Sequence, residues 1–597
     1  MDATAVQEDN TELAQSINEF IADYTLLGQH RADNIDREFK AFLAKATKGM
    51  SPLELVNAYL DWLGHLSISP GKLALLAQSL VRKLIQLGLY NVSSLVNPDA
   101  AKPAKLSERQ LQSDRWKRWP FSVFAQSYLV SKEWWKEATT GIEGLNKDHE
   151  RLVSFMAEQI LESVSPANFP LTNPEIIATT IAERGANLKR GFAHFIGDKA
   201  RAATGSPVAG REKFKVGETL AITPGKVIFQ NSLMELIQYE PTTETVCAEP
   251  VFIVPAWIMK YYILDLSPKN SMVKYLVDQG KTVFVISWKN PSVEDREISM
   301  EDYLKLGLMA ALDVISTVVP GKKVNSVGYC IGGTLLYIAA AMMARDNDER
   351  LNSISIFAAQ ADFSEGGEIR TFLSESIFSS LKNLMWKQGY LGLENMGGAF
   401  AALRATDLIH SPKVDRYWLG KESTMNDLMA WNADGTRMPY CMHSEYLRTL
   451  YMDNDLAECR FIVDGKPIAV SDIEVPFFVV GTGTDHVAPW QSVYKVNRLN
   501  HGEVTFLLTS GGHNAGIISG PSHPRRTYQV ATREAGGKYV DPQSWIEGTP
   551  TQKGSWWPEW NKWLDEHSST QVKPPAMGAP KKGISVLRDA PGEYILD

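Results

Sequence analysis

Six short apolar runs, at residues 251–254, 283–287, 324–327, 354–358, 476–480 and 504–508, are separated for the most part by segments of helical length. Strands that alternate with helices pair side by side through right-handed crossovers, so the spacing predicts an α/β fold with a parallel sheet covered on both faces. Ahead of them, residues 214–222 and 227–239 alternate apolar and polar side chains around Pro224-Gly225. That pattern reads as a hairpin opening the sheet. The interval between 358 and 476, roughly 120 residues, is too long for one crossover and predicts an inserted subdomain. Its Met, Leu and aromatic content around 372–431 suits a mobile helical cap.

The chain before the sheet has a different texture. From about 12 to 107 the pattern is helical, with Leu53, Val56, Leu60 and Leu63 three and four apart, as on one apolar helix face. A second helical block runs to about 202, with Pro166, Pro170 and Pro174 marking a rigid segment in its middle. The expected organisation is a helical extension over 1–110, a helical N-terminal domain over 111–210 and a catalytic core over 211–363 and 472–569. A cap over 364–471 and a tail over 570–597 complete it. Trp556, Trp557, Trp560 and Trp563 precede a Pro/Gly/Lys linker at 572–583.

Composition removes several function classes. The 597 residues carry 61 Lys and Arg against 69 Asp and Glu, a formal charge of −8, which argues against a dedicated nucleic-acid binder. The densest basic spot, Arg115, Lys117 and Arg118, is interleaved with Trp116 and Trp119 and reads as a helix surface. Four cysteines form neither a disulfide framework nor a zinc pattern, so no metal and a reducing compartment are expected. The opening Met1-Asp2-Ala3, followed by Glu8 and Asp9, lacks a secretory signal. The apolar stretch 327–343 is broken by Gly328, Cys330 and Gly332 and falls short of the roughly 20 residues of a membrane span. A cytoplasmic protein without a transmembrane segment is expected.

The chemistry concentrates at Gly328-Tyr329-Cys330-Ile331-Gly332, between a strand and a small-residue helix. A sharp strand-to-helix turn tolerates only small residues two positions either side of a nucleophile, the arrangement of Gly-x-Ser-x-Gly elbows, here with cysteine. A chain with this many Cys and Gly holds such a pattern by chance about 0.02 times. The bland alternative is a buried structural cysteine beside a packing glycine. A thiol of pKa about 8.5 needs a base. His513, in Gly511-Gly512-His513-Asn514-Ala515-Gly516 after the last of the six runs, stands where that base belongs, and Asp485 follows the run before it. The order Cys330, Asp485, His513 is nucleophile, acid, base, that of the α/β-hydrolase fold. Asp362 is a rival acid, better read as capping the chain entering the insertion, and His486 a rival histidine, better read as packed beside Asp485. An oxyanion would be held by the backbone N–H of Ile331 and one in Pro255-Ala256-Trp257-Ile258, assigned to Ile258.

The elbow, Gly483-Thr484-Asp485-His486-Val487-Ala488-Pro489-Trp490 and Gly512-His513-Asn514-Ala515-Gly516 resemble the polyhydroxyalkanoate synthase family. Further matches include Pro166-Ala167-Asn168-Phe169, Ser287-Trp288-Lys289-Asn290-Pro291, Trp431-Asn432-Ala433-Asp434 and Gly554-Ser555-Trp556-Trp557-Pro558. The layout is similar to class I. The resemblance implies an α/β-hydrolase fold with an inserted cap and polymerisation of (R)-3-hydroxyacyl-CoA, typically 3-hydroxybutyryl-CoA, into polyester with CoA release. It implies Cys330 as acylated nucleophile, His513 as base and Asp485 as the carboxylate that orients it and assists the substrate hydroxyl. It also implies a homodimer at a polyester granule surface and no cofactor, the CoA thioester being the substrate. Asn514 stands where the family has an apolar residue, and His410 replaces a Trp in the cap. Two other classes remain: a cysteine hydrolase or thioesterase in which water attacks, and a non-catalytic granule coat built on the N-terminal helices and exposed tryptophans.

Overall fold

The computed structural model describes residues 29–47, 49–96, 108–392, 406–422 and 425–596. Glu8 and Asp9, the outer ends of the 12–107 block and residues 393–405 and 423–424 of the 372–431 stretch lie outside them. Among the described residues, eleven strands build one sheet. They are β1 (Gly225–Gln230), β2 (Met234–Tyr239), β3 (Val251–Val254), β4 (Val283–Trp288), β5 (Val324–Tyr329) and β6 (Leu351–Phe357), followed by β7 (Phe477–Thr482), β8 (Val504–Thr509), β9 (Thr527–Arg533), β10 (Gln552–Lys553) and β11 (Arg588–Asp589). The order across the sheet is β10-β9-β8-β7-β6-β5-β3-β4-β2-β1-β11. From β4 through β3 to β8 every pairing is parallel, and the flanking strands are antiparallel. The six apolar runs are the six parallel strands.

Side chains alternate across this sheet and feed two cores. Phe252, Val254, Phe477 and Val479 face the core built on the helix Ile331–Arg345, while Val251, Ile253, Phe478 and Val480 face one filled by Trp556, Trp557 and Trp560. The C-terminal tryptophans are therefore core residues: Trp556 and Trp560 are both 0% exposed. Their N–H groups explain why indoles rather than phenyl rings serve here, since Trp556 donates to the Gly516 carbonyl, Trp557 to that of Ile517 and Trp560 to the Ser355 hydroxyl.

The opening hairpin differs from expectation. Its strands are β1 and β2, so the 227–239 run folds back on itself, and the turn is at Asn231, whose Oδ1 accepts the N–H groups of Leu233 and Met234, both at 2.9 Å. This Asx turn supplies in side-chain form what Pro224-Gly225 was expected to supply in the backbone. Gly225 instead starts β1 opposite Tyr239, where a Cβ would lie 2.9 Å from the Gln238 carbonyl oxygen. The tail is no free linker either: Gln571–Val572 pairs with Val246–Cys247, β11 extends the sheet beside β1, and Arg588 meets the buried Glu235.

The N-terminal helices Pro52–Ser67 and Pro70–Val96 pack on Phe121–Thr139 and Lys147–Ser163, but not by the leucine face. In the first of them Ala58, Trp62 and Leu66 are buried, whereas Leu53, Val56, Leu60 and Leu63 face outward, Leu53 at 71% exposed. The helix carries two apolar faces, and the one with the bulkier ring packs against Ala138, Ile142 and Leu145. Trp116 in the basic spot is buried, while Lys117 and Arg115 are paired with Asp114 and Glu175. Between β6 and β7 the chain leaves the sheet and forms helices that include Glu375–Gln388, Asp427–Asn432 and Tyr440–Glu445. The N-terminal domain grips this cap: Arg416 forms a two-pronged pair with Asp198, and Asn187 donates to the Trp418 carbonyl. Among the described residues no helix is long and apolar enough to cross a membrane, and no cluster of metal-ligating side chains occurs.

Candidate active site

At the end of β5 the chain turns so sharply that Cys330 adopts φ 54° and ψ −130°, a conformation that costs a non-glycine residue about 1–3 kcal/mol. Its neighbours over-determine it. The Cys330 N–H donates to the Phe357 carbonyl at 3.0 Å, and the Cys330 carbonyl accepts from Gly333 and Thr334. Both glycines of the motif are sterically required: a Cβ on Gly328 would sit 2.4 Å from Gly333 Cα, and one on Gly332 would sit 2.3 Å from the Val254 carbonyl oxygen. The second contact brings the N-terminus of helix Ile331–Arg345 against the loop that leaves β3. Ile331 is the first residue of that helix, so its N–H precedes any intrahelical acceptor. The Trp257 carbonyl in the β3 loop is held by the Thr436 hydroxyl of the cap at 2.5 Å, which fixes the Trp257–Ile258 peptide, whose N–H is the one expected from the sequence as the second oxyanion donor.

Asp485 leaves β7 by a short turn and His513 sits in the loop after β8. The two loops are laced together, Gly483 N–H to the Thr509 carbonyl at 2.8 Å and Thr484 N–H to that of Gly511 at 3.0 Å. His513 Nδ1 lies 2.8 Å from Asp485 Oδ2. The carboxylate side chain is 0% exposed and also accepts from the Thr482 hydroxyl and from the N–H groups of Val487 and Ala488, each at 2.9 Å. Burial alone would raise this carboxyl, but His513 and the two backbone N–H groups outweigh it and hold it below its ordinary value. Burial likewise disfavours the imidazolium of His513, yet the bonded Asp485 carboxylate and the nearby charge of Cys330 raise it well above the usual histidine value. Cys330, Asp485 and His513 thus meet at one point above the carboxyl ends of three parallel strands, the position that open parallel sheets reserve for ligands.

Two family models match the chain: that of the poly-beta-hydroxybutyrate polymerase (PhaC) N-terminus over residues 107–276 and that of the poly-beta-hydroxybutyrate polymerase N terminal over 30–72. The poly(3-hydroxyalkanoate) polymerase subunit PhaC of Rhizobium etli is 37% identical over 504 residues, covering 84% of this chain and 78% of its own. The poly(3-hydroxyalkanoate) polymerase of Methylorubrum extorquens is 38% identical over 515 residues, covering 85% and 83%. The chain belongs to the poly(3-hydroxyalkanoate) polymerase family. The polymerase subunit PhaC of Cupriavidus necator is 31% identical over 545 residues, covering 90% of both chains. Among solved structures, a monoacylglycerol lipase from Paleococcus ferrophilus is 11% identical with a TM-score of 0.30, covering 56% of this chain and 99% of its own. The α/β-hydrolase fold of this polymerase rests on its strand order and elbow.

The rival residues lie elsewhere. Asp362 accepts from the Ser364 N–H and hydroxyl at 2.8 and 2.5 Å and faces Lys495 at 3.6 Å, which pins the chain where it enters the cap. Its carboxyl is held low by these partners against the effect of burial. His486 offers its carbonyl to the Glu368 N–H at 3.0 Å, a tie between the Asp485 loop and the cap. His410, in the cap stretch Thr406–His410, is lowered by burial. Sequence reasoning missed the two cap tyrosines, Tyr446 and Tyr451, which pack edge to face with Phe363 and whose ionisation is disfavoured mainly by burial and further by the nearby charge of Cys330. It also missed what Asn514 touches, Tyr329, 185 residues earlier. No local pattern signals contacts of that kind.

Proposed function

We propose that this polymerase lengthens a polyester from (R)-3-hydroxyacyl-CoA, in the first instance 3-hydroxybutyryl-CoA, through an acyl-enzyme on Cys330. The observation that supports the reading best is the register of a buried Asp485–His513 pair on a strained Cys330 in a chain of this family. His513 takes the thiol proton, and the thiolate attacks the thioester carbonyl. The oxyanion is received by the N–H groups of Ile331 and Ile258, and CoA departs with the proton returned by His513. The 3-hydroxyl of another unit then gives its proton to His513 and attacks the acyl-enzyme; collapse forms the oxoester and frees the Cys330 thiol. The acyl-enzyme is itself a thioester, close in energy to the substrate, and the oxoester lies downhill. Every step uses the chain's own residues, and no cofactor enters.

Asp485 acts through His513 in this scheme, because its four accepted bonds and lack of exposed surface leave no place for the substrate hydroxyl. The outward leucine face of helices Pro52–Ser67 and Pro70–Val96 suits the apolar polyester granule, or a second copy of the chain in a homodimer. The test supplies 3-hydroxybutyryl-CoA and measures CoA release, insoluble polyester and free 3-hydroxy acid together. Polymer with matching CoA supports the reading; free acid alone makes the protein a thioesterase. Cys330→Ala should lower CoA release by roughly 10³-fold or more, and retention of a tenth of the activity would remove Cys330 from the chemistry.

A further inference from the structure

Tyr329 and Asn514 flank the candidate triad in the sequence: one precedes the nucleophile, the other follows the imidazole. In the fold they meet, with the Tyr329 hydroxyl donating to Asn514 Oδ1 at 2.6 Å. Tyr329 is 2% exposed, and its ring lies 5.8 Å from that of His513 with 31° between the planes. The acyl-transfer scheme above calls on neither side chain.

The elbow follows β5 and the His513 loop follows β8, with β6 and β7 between them. At about 4.8 Å per strand, the two starting points are separated by roughly 14 Å of sheet, so the thiol and the imidazole are not set against each other by neighbouring strands. Three other side chains hold the backbone of the His513 loop: Arg526 grips it on both sides of His513, reaching the Ser510 carbonyl at 3.2 Å as well as Ala515, and two tryptophans grip it after His513. Arg526 donates to the Ala515 carbonyl at 2.6 Å, Trp556 to that of Gly516 and Trp557 to that of Ile517, each at 3.0 Å. They tie the loop to β9 and the C-terminal helix. The Tyr329–Asn514 bond ties it to the elbow.

We propose that Tyr329 and Asn514 form a staple that registers His513 on Cys330, making both of them positioning residues for acyl transfer. The inference rests on the triad reading above. A misplacement of reacting groups by about 1 Å costs on the order of a hundredfold, so a single bond at this place has leverage that the same bond elsewhere in the core lacks.

The experiment compares Tyr329→Phe, Asn514→Leu and the double variant by CoA release from 3-hydroxybutyryl-CoA and by thermal melting. Tyr329→Phe removes one oxygen from an otherwise unchanged ring, so it retains the fold. Each single variant should lower kcat roughly ten- to a hundredfold and leave KM within about twofold. The limb of the pH–rate profile that reports His513 should move to lower pH, because the ring is held less firmly against Asp485. Replacing both partners removes the stranded buried polar atom, so the melting temperature of the double variant should recover. Its kcat should not. Recovery of kcat together with the melting temperature would make the pair a packing element only and overturn the staple, as would a Tyr329→Phe enzyme with unchanged kcat and pH profile. His513→Gln separates the two readings: if it is inactive while Tyr329→Phe is fully active, the staple alone fails, and if it is active, the triad and the staple fail together.

Discussion

Asp485 and His513 make opposite demands on pH, and their burial makes the demands measurable. A carboxyl held below its ordinary 3.8 contributes stability above that value and loses it as the pH falls through the depressed one. An imidazole raised above 6.5 contributes fully below that value and loses its contribution as the pH climbs through the raised one. The pair therefore stabilises the fold most between about pH 4 and 6.5. The melting-temperature gap between wild type and His513→Gln should be widest near pH 5 to 6 and narrow above neutrality; a gap that widens with rising pH would contradict the ion pair. Asp485→Asn should weaken His513 as a base. A hydroxyl is a far weaker acid than a thiol of pKa about 8.5, so elongation should slow more than the first acylation, and labelled acyl-enzyme should accumulate. Equal slowing of the two steps would mean that the carboxylate only fixes the ring's orientation. These residues were legible in the sequence because each stands just beyond the end of a recognisable strand. What Asp485 touches was not, since Thr482, Val487, Ala488 and His513 converge on it only after β7 and β8 lie side by side.

At the scale of elements, the cap is held both to the N-terminal domain and to the site. Its segment 414–420 lies flush on helix Ala186–Thr204: a Cβ on Gly191 would sit 1.9 Å from the Tyr417 carbonyl oxygen, and Arg416 clasps Asp198 with two nitrogens. A second hold reaches the site itself, where Thr436 fixes the Trp257 carbonyl. In the proposed mechanism an acyl-enzyme waits for a hydroxyl nucleophile and needs water kept out, and a cap serving as its lid would have to open for CoA esters and for the growing chain. Arg416→Ala should loosen the clasp and raise the ratio of free 3-hydroxy acid to polymer, even where total CoA release falls. Proportional loss of both products, with no free acid, would show that the clasp serves folding and not shielding. The insertion was legible from its length alone; its grip by the N-terminal domain joins residues more than two hundred positions apart, as Arg416 and Asp198 show, and has no sequence signature.

For the whole molecule, the unusual feature is an apolar face left outward on the N-terminal helices. Leu60 and Leu84 are 58% and 54% exposed, in a chain whose central parallel strands and C-terminal tryptophans are buried. Leu60→Glu together with Leu84→Glu should leave CoA release in solution within about twofold, since neither side chain packs in the core. The fraction of enzyme that sediments with polyester particles should fall. If particle binding is unchanged while the molecular mass in solution drops by half, the face joins two copies of the chain instead.

Some of this was fixed by sequence because it follows from local geometry. Short continuous apolar runs at helix-length intervals leave the chain few options besides a parallel sheet, and Gly328 and Gly332 around Cys330 are what an elbow needs whatever surrounds it. The tertiary structure decided the matters that depend on which surfaces compete for the same space. The 227–239 run folded back on itself because Asn231 could cap a turn within it. The leucine face of Pro52–Ser67 lost the core to Trp62, Leu66 and Ala58. The tryptophans near the C-terminus went into the core beside the sheet, where the N–H groups of Trp556 and Trp557 found buried carbonyls in the His513 loop. Asn514, in the sequence only a polar residue in an apolar position, became the partner of Tyr329, because a buried hydroxyl must be satisfied and only the folded chain brings an acceptor to it.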